Sequence, residues 1–495
     1  MAELQVFNTL TGKKEAFVPL SGRSIKIYAC GITVYDSSHL GHARMLVVWD
    51  VIQRYLRYAG YDVAFARNIT DIEDKIINRA RERGIHPEQL ARLYTYEFWR
   101  DMDCLNVKLP DFEPRATEYI AKMLTFAEDL IGKGYAYAVD GDVYFEVAKF
   151  KDYGKLSKQN LDQLITGMRD QVKSQEDLKA LKRNPVDFAL WKRAEPSELG
   201  WDSPWGHGRP GWHLECSTMI KALFGETIDI HGGGEDLVFP HHENEIAQSE
   251  ALHGKPLAKY WIHNGFVQVS GEKMAKSVGN FKTIQDLLQN FSPDTLRLLL
   301  LQTHYRNPID FTADSLQAAK TAAARLARAA SYDQSFALNG DSKSDPQSLP
   351  NKANGDGTQA QTSTGDHEAF CECPDFINLR REFEEAMNND FNTAIALSVL
   401  FAFADKIQQV DEPDRPAYAR QLRRYAGVLG LQLEDKRRVI DSGTAAKIVD
   451  LMLELRQSAR AKKDYATSDL IRKQLTDLNI NVMDTGGGGA SWEKL

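Results

Sequence analysis

Between Ser24 and Arg67 the hydrophobic pattern changes period twice, and this restricts the fold more than any other feature. Ser24 to Ala29 is a short β-like run carrying Ile25, Ile27 and Tyr28, and it ends at Cys30-Gly31. Met45, Val48, Trp49, Ile52, Leu56 and Ala59 then recur at helical spacing, and Gly60 stops the helix. Asp62 to Arg67 alternates again as a strand. Strand, long loop, helix and strand make a βαβ unit, the building block of a doubly wound parallel sheet. The N-terminal part is therefore expected to be α/β.

The chain has 495 residues, too many for one core at ~100–200 residues per domain. The clearest boundary is 339–366, a polar stretch whose apolar residues are Leu349, Ala353 and Ala360. Such a stretch buries too little to offset its ordering entropy and reads as a disordered surface loop. Beyond it, Arg380–Asn388, Asn392–Val410, Pro416–Leu429 and Ala445–Arg460 carry helical patterns with no convincing strands, which predicts an all-α helical bundle. The last twenty residues, with Gly486 to Gly489, read as a small irregular end.

Composition excludes several classes. Hydrophobic residues at 43% and charged residues at 26% are globular values. No stretch approaches the ~18–20 apolar residues of a membrane span. Met1 to Leu20 is broken by Gly12, Lys13, Lys14 and Glu15 and has no apolar signal core, so a cytoplasmic protein is expected. The five cysteines are scattered, which argues against a disulfide framework and for packing, metal or redox roles. A net charge of −8 leaves local patches as the route to nucleic acid.

Two short runs suit nucleotide chemistry. His39-Leu40-Gly41-His42 lies in the loop before the first helix, where parallel α/β sheets bind ligands and a helix N-terminus attracts phosphate. Gly41 lets a ring approach the backbone, and two imidazoles can donate to a phosphoryl group as charge develops. Downstream, Gly271-Glu272-Lys273-Met274-Ala275-Lys276-Ser277 places two lysines three apart in a small-residue loop, a clamp for triphosphate. Standing alone, the first run is equally a plain loop, and the second is more commonly a solvated lysine pair. A third set, Cys30, Cys216, His241 and Glu245, offers sulfur, nitrogen and oxygen donors that zinc accepts. On spacing alone, an inert buried Cys216 and a His–Glu surface pair explain it as well.

In order along the chain, the His-x-Gly-His and Lys-Met-x-Lys-Ser runs resemble the paired signatures of class I aminoacyl-tRNA synthetases, with Ala275 where that class usually has Ser. Longer strings are similar to cysteinyl-tRNA synthetases: Tyr28 to Asp36, Asn68 to Lys75, Pro114 to Glu118, Gly211 to Ser217 and Asp229 to Glu245. Ile32 departs from the family's usual Pro, and the 339–366 insert and glycine-rich end are also atypical.

The resemblance implies a Rossmann-like catalytic domain over 1–317 with a connective insertion at about 115–205. It further implies a linking helix at 318–338, a tRNA-binding helical bundle at 367–435 and a small helical subdomain at 436–495. The implied reaction joins L-cysteine to ATP, giving cysteinyl-adenylate and pyrophosphate, then transfers cysteine to the 3′ end of its tRNA. His39, His42, Lys273 and Lys276 would be catalytic. Gly41, Gly234 and Asp236 would join them in holding MgATP. Cys30, Cys216, His241 and Glu245 would hold one zinc ion, which binds the substrate thiol, and Gly31, Thr33, Thr70 and Trp212 would line the cysteine pocket. His231, His242 and His263 would either approach ATP or be hydrogen-bonded core histidines. A monomer without an editing domain is implied.

From Asp411 to Leu475 there are 14 Lys and Arg against 10 Asp and Glu, with Arg420, Arg423 and Arg424 on one predicted helix and Arg456, Arg460, Lys462 and Lys463 on another. The family's helical domain at this position makes them candidates for tRNA phosphate contacts. Two other readings share parts of this pattern. One is a cysteine ligase acting on an amino sugar, as in mycothiol synthesis. The other is a non-catalytic RNA-binding paralogue.

Overall fold

A computed structural model describes residues 3–160, 182–269, 272–273, 282–333, 374–434, 442–477, 480–485 and 489–494. Lys276, the 339–366 stretch, Cys371 and Cys373 lie outside the described residues. The chain forms two compact units, Met1–Glu434 and Asp435–Leu495.

After an antiparallel hairpin, β1 (Gln5–Asn8) and β2 (Lys13–Ala16), comes the expected unit: β3 (Ser24–Thr33), α1 (Leu40–Tyr58) and β4 (Asp62–Thr70). Both strands run past their sequence-predicted ends, because parallel pairing of Ile32 with Ile69 and of Thr33 with Thr70 carries them beyond the apolar run. In α1, 14 of 19 residues are buried, as expected for a helix covered by sheet and neighbouring helices. The sequence suggests a loop through His42. Instead α1 begins at Leu40, with His39 as its N-cap.

Helices α2 (Asp74–Arg83), α3 (Pro87–Cys104) and α4 (Ile120–Gly132) follow. A second, antiparallel sheet then interrupts the α/β core: β5 (Ala136–Val139), β6 (Asp142–Phe145), β7 (Phe188–Arg193) and β8 (Gly208–Pro210). The chain returns through α5 (Trp212–Phe224), β9 (Ile228–Gly234), α6 (Glu243–His253) and β10 (Ala258–Asn264). The central sheet has the order β10-β9-β3-β4 and is parallel throughout. Both of its faces are covered, so β3 buries Ile25 and Ile27 on one side and Tyr28 and Cys30 on the other.

A small sheet joins β11 (Val267–Val269), β12 (Glu272–Lys273) and β13 (Ile309–Asp310). Around them lie α7 (Ile284–Leu288), α8 (Pro293–Leu301) and α9 (Ala313–Ala330). Then come α10 (Pro374–Asn388), α11 (Thr393–Gln409) and α12 (Arg415–Val428), close to their sequence-predicted spans. These three helices share one core with the α/β part, where Phe383, Leu400 and Tyr425 join Ile27 and Trp49 in the same cluster. Arg297 of α8 fastens the junction: fully buried, it pairs with Asp50 of α1 at 2.7 Å and donates to the Leu429 carbonyl at the end of α12.

The second unit contains α13 (Ser442–Ala461), α14 (Tyr465–Asp477) and a core of Val449, Leu453, Ile471, Leu475 and Val482. Its end is an antiparallel hairpin, β14 (Ile480–Thr485) with β15 (Gly489–Lys494), and not the irregular segment suggested by its glycines. Ile480 and Val482 supply the period-2 pattern, too short to register in a glycine-rich end. Among the described residues no helix is long and apolar enough to cross a membrane.

Candidate active site and metal centre

The site forms at the carboxyl ends of β3, β4 and β9, where a doubly wound sheet exposes its ligand crevice. The β3–β4 register breaks between Ala29 and Ile32. A Cβ on Gly31 would stand 1.7 Å from the Asn68 carbonyl oxygen, so only glycine permits this approach. The Gly31 N–H donates to Asn68 Oδ1 at 2.9 Å, and the preceding residue, Cys30, is buried.

There Cys30 meets Cys216 of α5, with sulfurs 3.6 Å apart, and Glu245 of α6, whose Oε1 is 3.4 Å from Cys30 Sγ. His241 Nε2 lies 2.8 Å from the same Glu245 oxygen. One donor atom from each of these four buried residues lies within 4.8 Å of all the others. Atoms bound at ~2.0–2.3 Å around a tetrahedral zinc would be roughly 3.3–3.8 Å apart, which the Cys30–Cys216 and Cys30–Glu245 spacings match, while the 2.8 Å His241–Glu245 bond would have to open.

The electrostatics fit a cation. Burial opposes the Cys216 thiolate, but the Cys30 thiol and His241 outweigh it and bring Cys216 down to about 6. Burial likewise opposes charge on His241, yet Glu245 and Cys216 raise it to about 10. Glu245, against burial, is held well below the usual carboxylate range by His231 and His241. A buried thiolate and carboxylate thus surround a positive charge, which a proton on His241 supplies and a metal ion would replace.

Three residues behind this quartet escape sequence reasoning. His213 Nδ1 sits 2.9 Å from His241 Nδ1. A neutral His213, its pKa lowered well by burial, accepts the His241 Nδ1–H and leaves Nε2 facing the cluster. Asn68 Nδ2 donates to Thr70 Oγ1 at 3.2 Å, and Thr70 donates to Glu215 Oε2 at 2.9 Å. Burial and the neighbouring Cys216 push the Glu215 carboxyl well up. The signal for His213 and Glu215 was their place beside Cys216 on one helix. Asn68 carries no such signal.

Trp212 stacks on the His241 imidazole at 4.1 Å between centroids, and Thr70 bonds Glu215, the neighbour of Cys216. Thr33 pairs in register with Thr70 at the end of β3. The three further histidines lie beneath the cluster with their ring nitrogens engaged. His231 bridges the Tyr28 carbonyl and Glu245 Oε2 at 2.8 and 2.7 Å. His242 spans Cys30 Sγ and His263 Nε2, and His263 reaches Thr9 Oγ1. Their position supports the hydrogen-bonded core role over contact with ATP.

On the far side of β3, His39 and His42 stack at 3.8 Å with planes 17° apart. His39 Nδ1 accepts from the Gly41 N–H at 3.1 Å, and His42 Nδ1 accepts from the His39 N–H at 3.3 Å. Both rings are therefore held as Nε2–H tautomers, neutral donors at a helix N-terminus. A Cβ on Gly41 would come 2.8 Å from the His39 ring. Gly234 and Asp236 follow at the end of β9, beside the strand that carries Cys30.

Beyond the lysine run the chain is tied to this corner. Lys273 belongs to β12, and past the undescribed residues the Leu40 N–H donates to the Lys282 carbonyl while the Ile284 N–H donates to that of Ser38. Of the basic C-terminal residues, Arg423 and Arg456 turn inward. Arg423 donates to the carbonyls of Ala330, Gln432 and Leu433, and Arg456 is 4% exposed. Arg420, Arg424, Arg460, Lys462 and Lys463 remain on the surface.

Comparison with known proteins agrees with this geometry. Residues 16–321 match the family model of the tRNA synthetases class I (C) catalytic domain, and residues 382–434 match the DALR domain. The cysteine–tRNA ligase of Maridesulfovibrio salexigens is 44% identical over 510 residues, covering 99% of each chain. That of Geobacter sulfurreducens is 45% identical over 507 residues, again covering 99% of each. Among solved structures, Mycobacterium tuberculosis methionyl-tRNA synthetase with methionyl-adenylate has the same fold, with a TM-score of 0.53 at 17% identity over 87% of this chain and 94% of that one. The leucyl enzyme of Agrobacterium radiobacter, in a ternary complex with tRNA, gives 0.57 at 12% identity over 84% and 85%. A parallel sheet with a buried two-cysteine cluster at its switch point and a histidine-capped first helix thus comes with full-length relatives at 44–45% identity, and the chain belongs to the cysteine–tRNA ligase family of class I aminoacyl-tRNA synthetases.

Proposed function

We propose that the chain activates L-cysteine with ATP and transfers the cysteinyl group to the 3′ end of its tRNA. The observation that carries this reading is the buried quartet of Cys30, Cys216, His241 and Glu245 beside a Trp212 wall. An apolar pocket separates substrates differing by one small group only ~10–200-fold, and serine differs from cysteine by a single atom. The quartet would hold zinc, which when bound would expand its shell to take a thiolate as a further ligand and so would separate the two substrates by bond type.

The remaining work falls to the chain's own groups. Trp212 and Thr70 enclose the small side chain, and Gly31 and Thr33 shape the strand end that meets the amino acid. Gly234 and Asp236 take the adenosine, Asp236 accepting from ribose hydroxyls. The Nε2–H groups of His39 and His42 donate to the α-phosphate as the cysteine carboxylate attacks, and Lys273 and Lys276 neutralise the departing pyrophosphate with magnesium. No side chain acts as a nucleophile, so catalysis is positioning and charge stabilisation. Arg420, Arg424, Arg460, Lys462 and Lys463 meet tRNA phosphates, and the chain works as a cytoplasmic monomer.

Cysteine-dependent ATP–pyrophosphate exchange tests the reading, with serine as the control. Exchange with cysteine and little with serine is expected. Equal exchange with both amino acids, or none with either, would refute it.

A further inference from the structure

Asn68 stands alone opposite a bulge. Ala29 pairs with Arg67 and Ile32 with Ile69, so Cys30 and Gly31 of β3 share Asn68 as their one counterpart on β4. A bulge re-aims the side chain it carries, and here that side chain is the Cys30 thiol. Asn68 is 2% exposed. Its main chain packs so closely on Gly31 that no Cβ fits between them, and its side-chain Oδ1 accepts the Gly31 N–H at 2.9 Å. The same oxygen lies 3.7 Å from Cys216 Sγ. One amide thus meets the backbone beside one sulfur and the second sulfur itself.

The other end of the amide is equally committed. A carboxamide can face either way unless its neighbours decide, and the Gly31 N–H can only donate, so the oxygen faces Gly31 and the nitrogen faces Thr70. Nδ2 donates to Thr70 Oγ1 at 3.2 Å, and that hydroxyl sends its own proton to Glu215 Oε2 at 2.9 Å. A hydroxyl has one proton and two lone pairs. With the proton given to Glu215 and one pair given to Asn68, Thr70 has a single lone pair left and can only accept from a newcomer. The α-ammonium group of an amino acid is a donor with three N–H bonds.

We infer that Asn68 is a positioning residue of the reaction, an inference that rests on the ligase reading. Through its oxygen it holds the bulge that presents Cys30 to the metal quartet. Through its nitrogen it keeps Thr70 an acceptor for the ammonium group of the incoming cysteine. Asn68 acts through Cys30, Cys216 and Thr70, since its hydrogen bonds run to the protein on both sides. Asparagine suits the place because it alone among short side chains offers an amide donor and an acceptor back to back.

The test uses the full-length chain. It reads zinc affinity by competition with a chromophoric chelator, and the KM values for cysteine and ATP by pyrophosphate exchange at saturating zinc. Asn68→Ala is expected to weaken zinc binding roughly 10- to 100-fold, the usual loss when a group supporting a metal ligand is removed. The cysteine KM should rise roughly 2- to 13-fold, the worth of one neutral hydrogen bond, with the ATP KM within about twofold of the unmodified chain. Asn68→Asp keeps the size and the oxygen for Gly31 but offers Thr70 no donor. It should recover the zinc affinity while the cysteine KM stays raised. Unchanged zinc affinity and cysteine KM in Asn68→Ala would overturn the assignment. So would an ATP KM rising in step with that for cysteine, or an Asn68→Asp chain that recovers nothing, since either makes Asn68 a packing residue. If the unmodified chain gave no cysteine-dependent exchange, the ligase reading would fall together with the role through Thr70, and zinc affinity would still decide the role through Cys30.

Discussion

His39 serves two roles that one substitution separates. Its Nδ1 caps α1 by accepting the Gly41 N–H, and under the proposed function its Nε2–H is the donor offered to phosphate. Asparagine is among the best N-cap residues, so His39→Asn keeps an acceptor for the helix while removing the imidazole donor. The helix should then lose no more than a few tenths of a kcal/mol. The loss of one preorganised transition-state donor should lower kcat for adenylate formation by ~10²–10³, or about 2.7–4 kcal/mol. His39→Ala removes both functions. It should show the same fall in kcat together with a cap loss of ~0.5–2 kcal/mol. Pyrophosphate exchange at saturating cysteine and ATP reads the first effect and a thermal melt reads the second. Exchange by His39→Asn at the unmodified rate would show that the imidazole is no donor. A melt as depressed in His39→Asn as in His39→Ala, with the rate falling in step, would assign the motif to structure alone.

Cys216→Ala should abolish the binding of about one zinc per chain, read by elemental analysis, and selectivity against serine should collapse with it. Because the ligands must be deprotonated, loading should release protons, and apparent zinc affinity should rise between pH 6 and 8. Arg297→Met leaves Asp50 paired with Arg54 at 2.8 Å but strips the buried Leu105 and Leu429 carbonyls of their donor. Leaving such groups unsatisfied should destabilise the first unit by ~1–3 kcal/mol, visible as a lowered denaturation midpoint. Ending the chain at Glu434 removes a unit with a core of its own. Exchange should stay within twofold, while tRNA charging should weaken as Arg460, Lys462 and Lys463 are lost.

Much of the α/β part was legible because periodicity reports burial. Ile25, Ile27 and the Met45-to-Ala59 series mark a strand and helix that are buried in the structure. The true start of α1 was hidden because His39 is an unusual N-cap and glycine at its second position lowers helix propensity. The terminal hairpin was masked by its glycines. In the site, Cys30, Cys216, His241 and Glu245 lie up to 215 residues apart in sequence. No local spacing could join them, and only the long strings shared with a known family did. The inward turn of Arg423 was invisible for a similar reason: its carbonyl partners include Ala330, 93 residues away in sequence, as well as Gln432 and Leu433. Charge counted along a helix does not say which face is wet.

The central claim is that the amino acid is chosen through sulfur at the quartet. X-ray absorption at the zinc edge of the loaded protein tests it most directly. The two sulfurs of Cys30 and Cys216 should rise to three on adding cysteine and remain two on adding serine. A zinc shell that stays at two sulfurs with saturating cysteine would contradict the account.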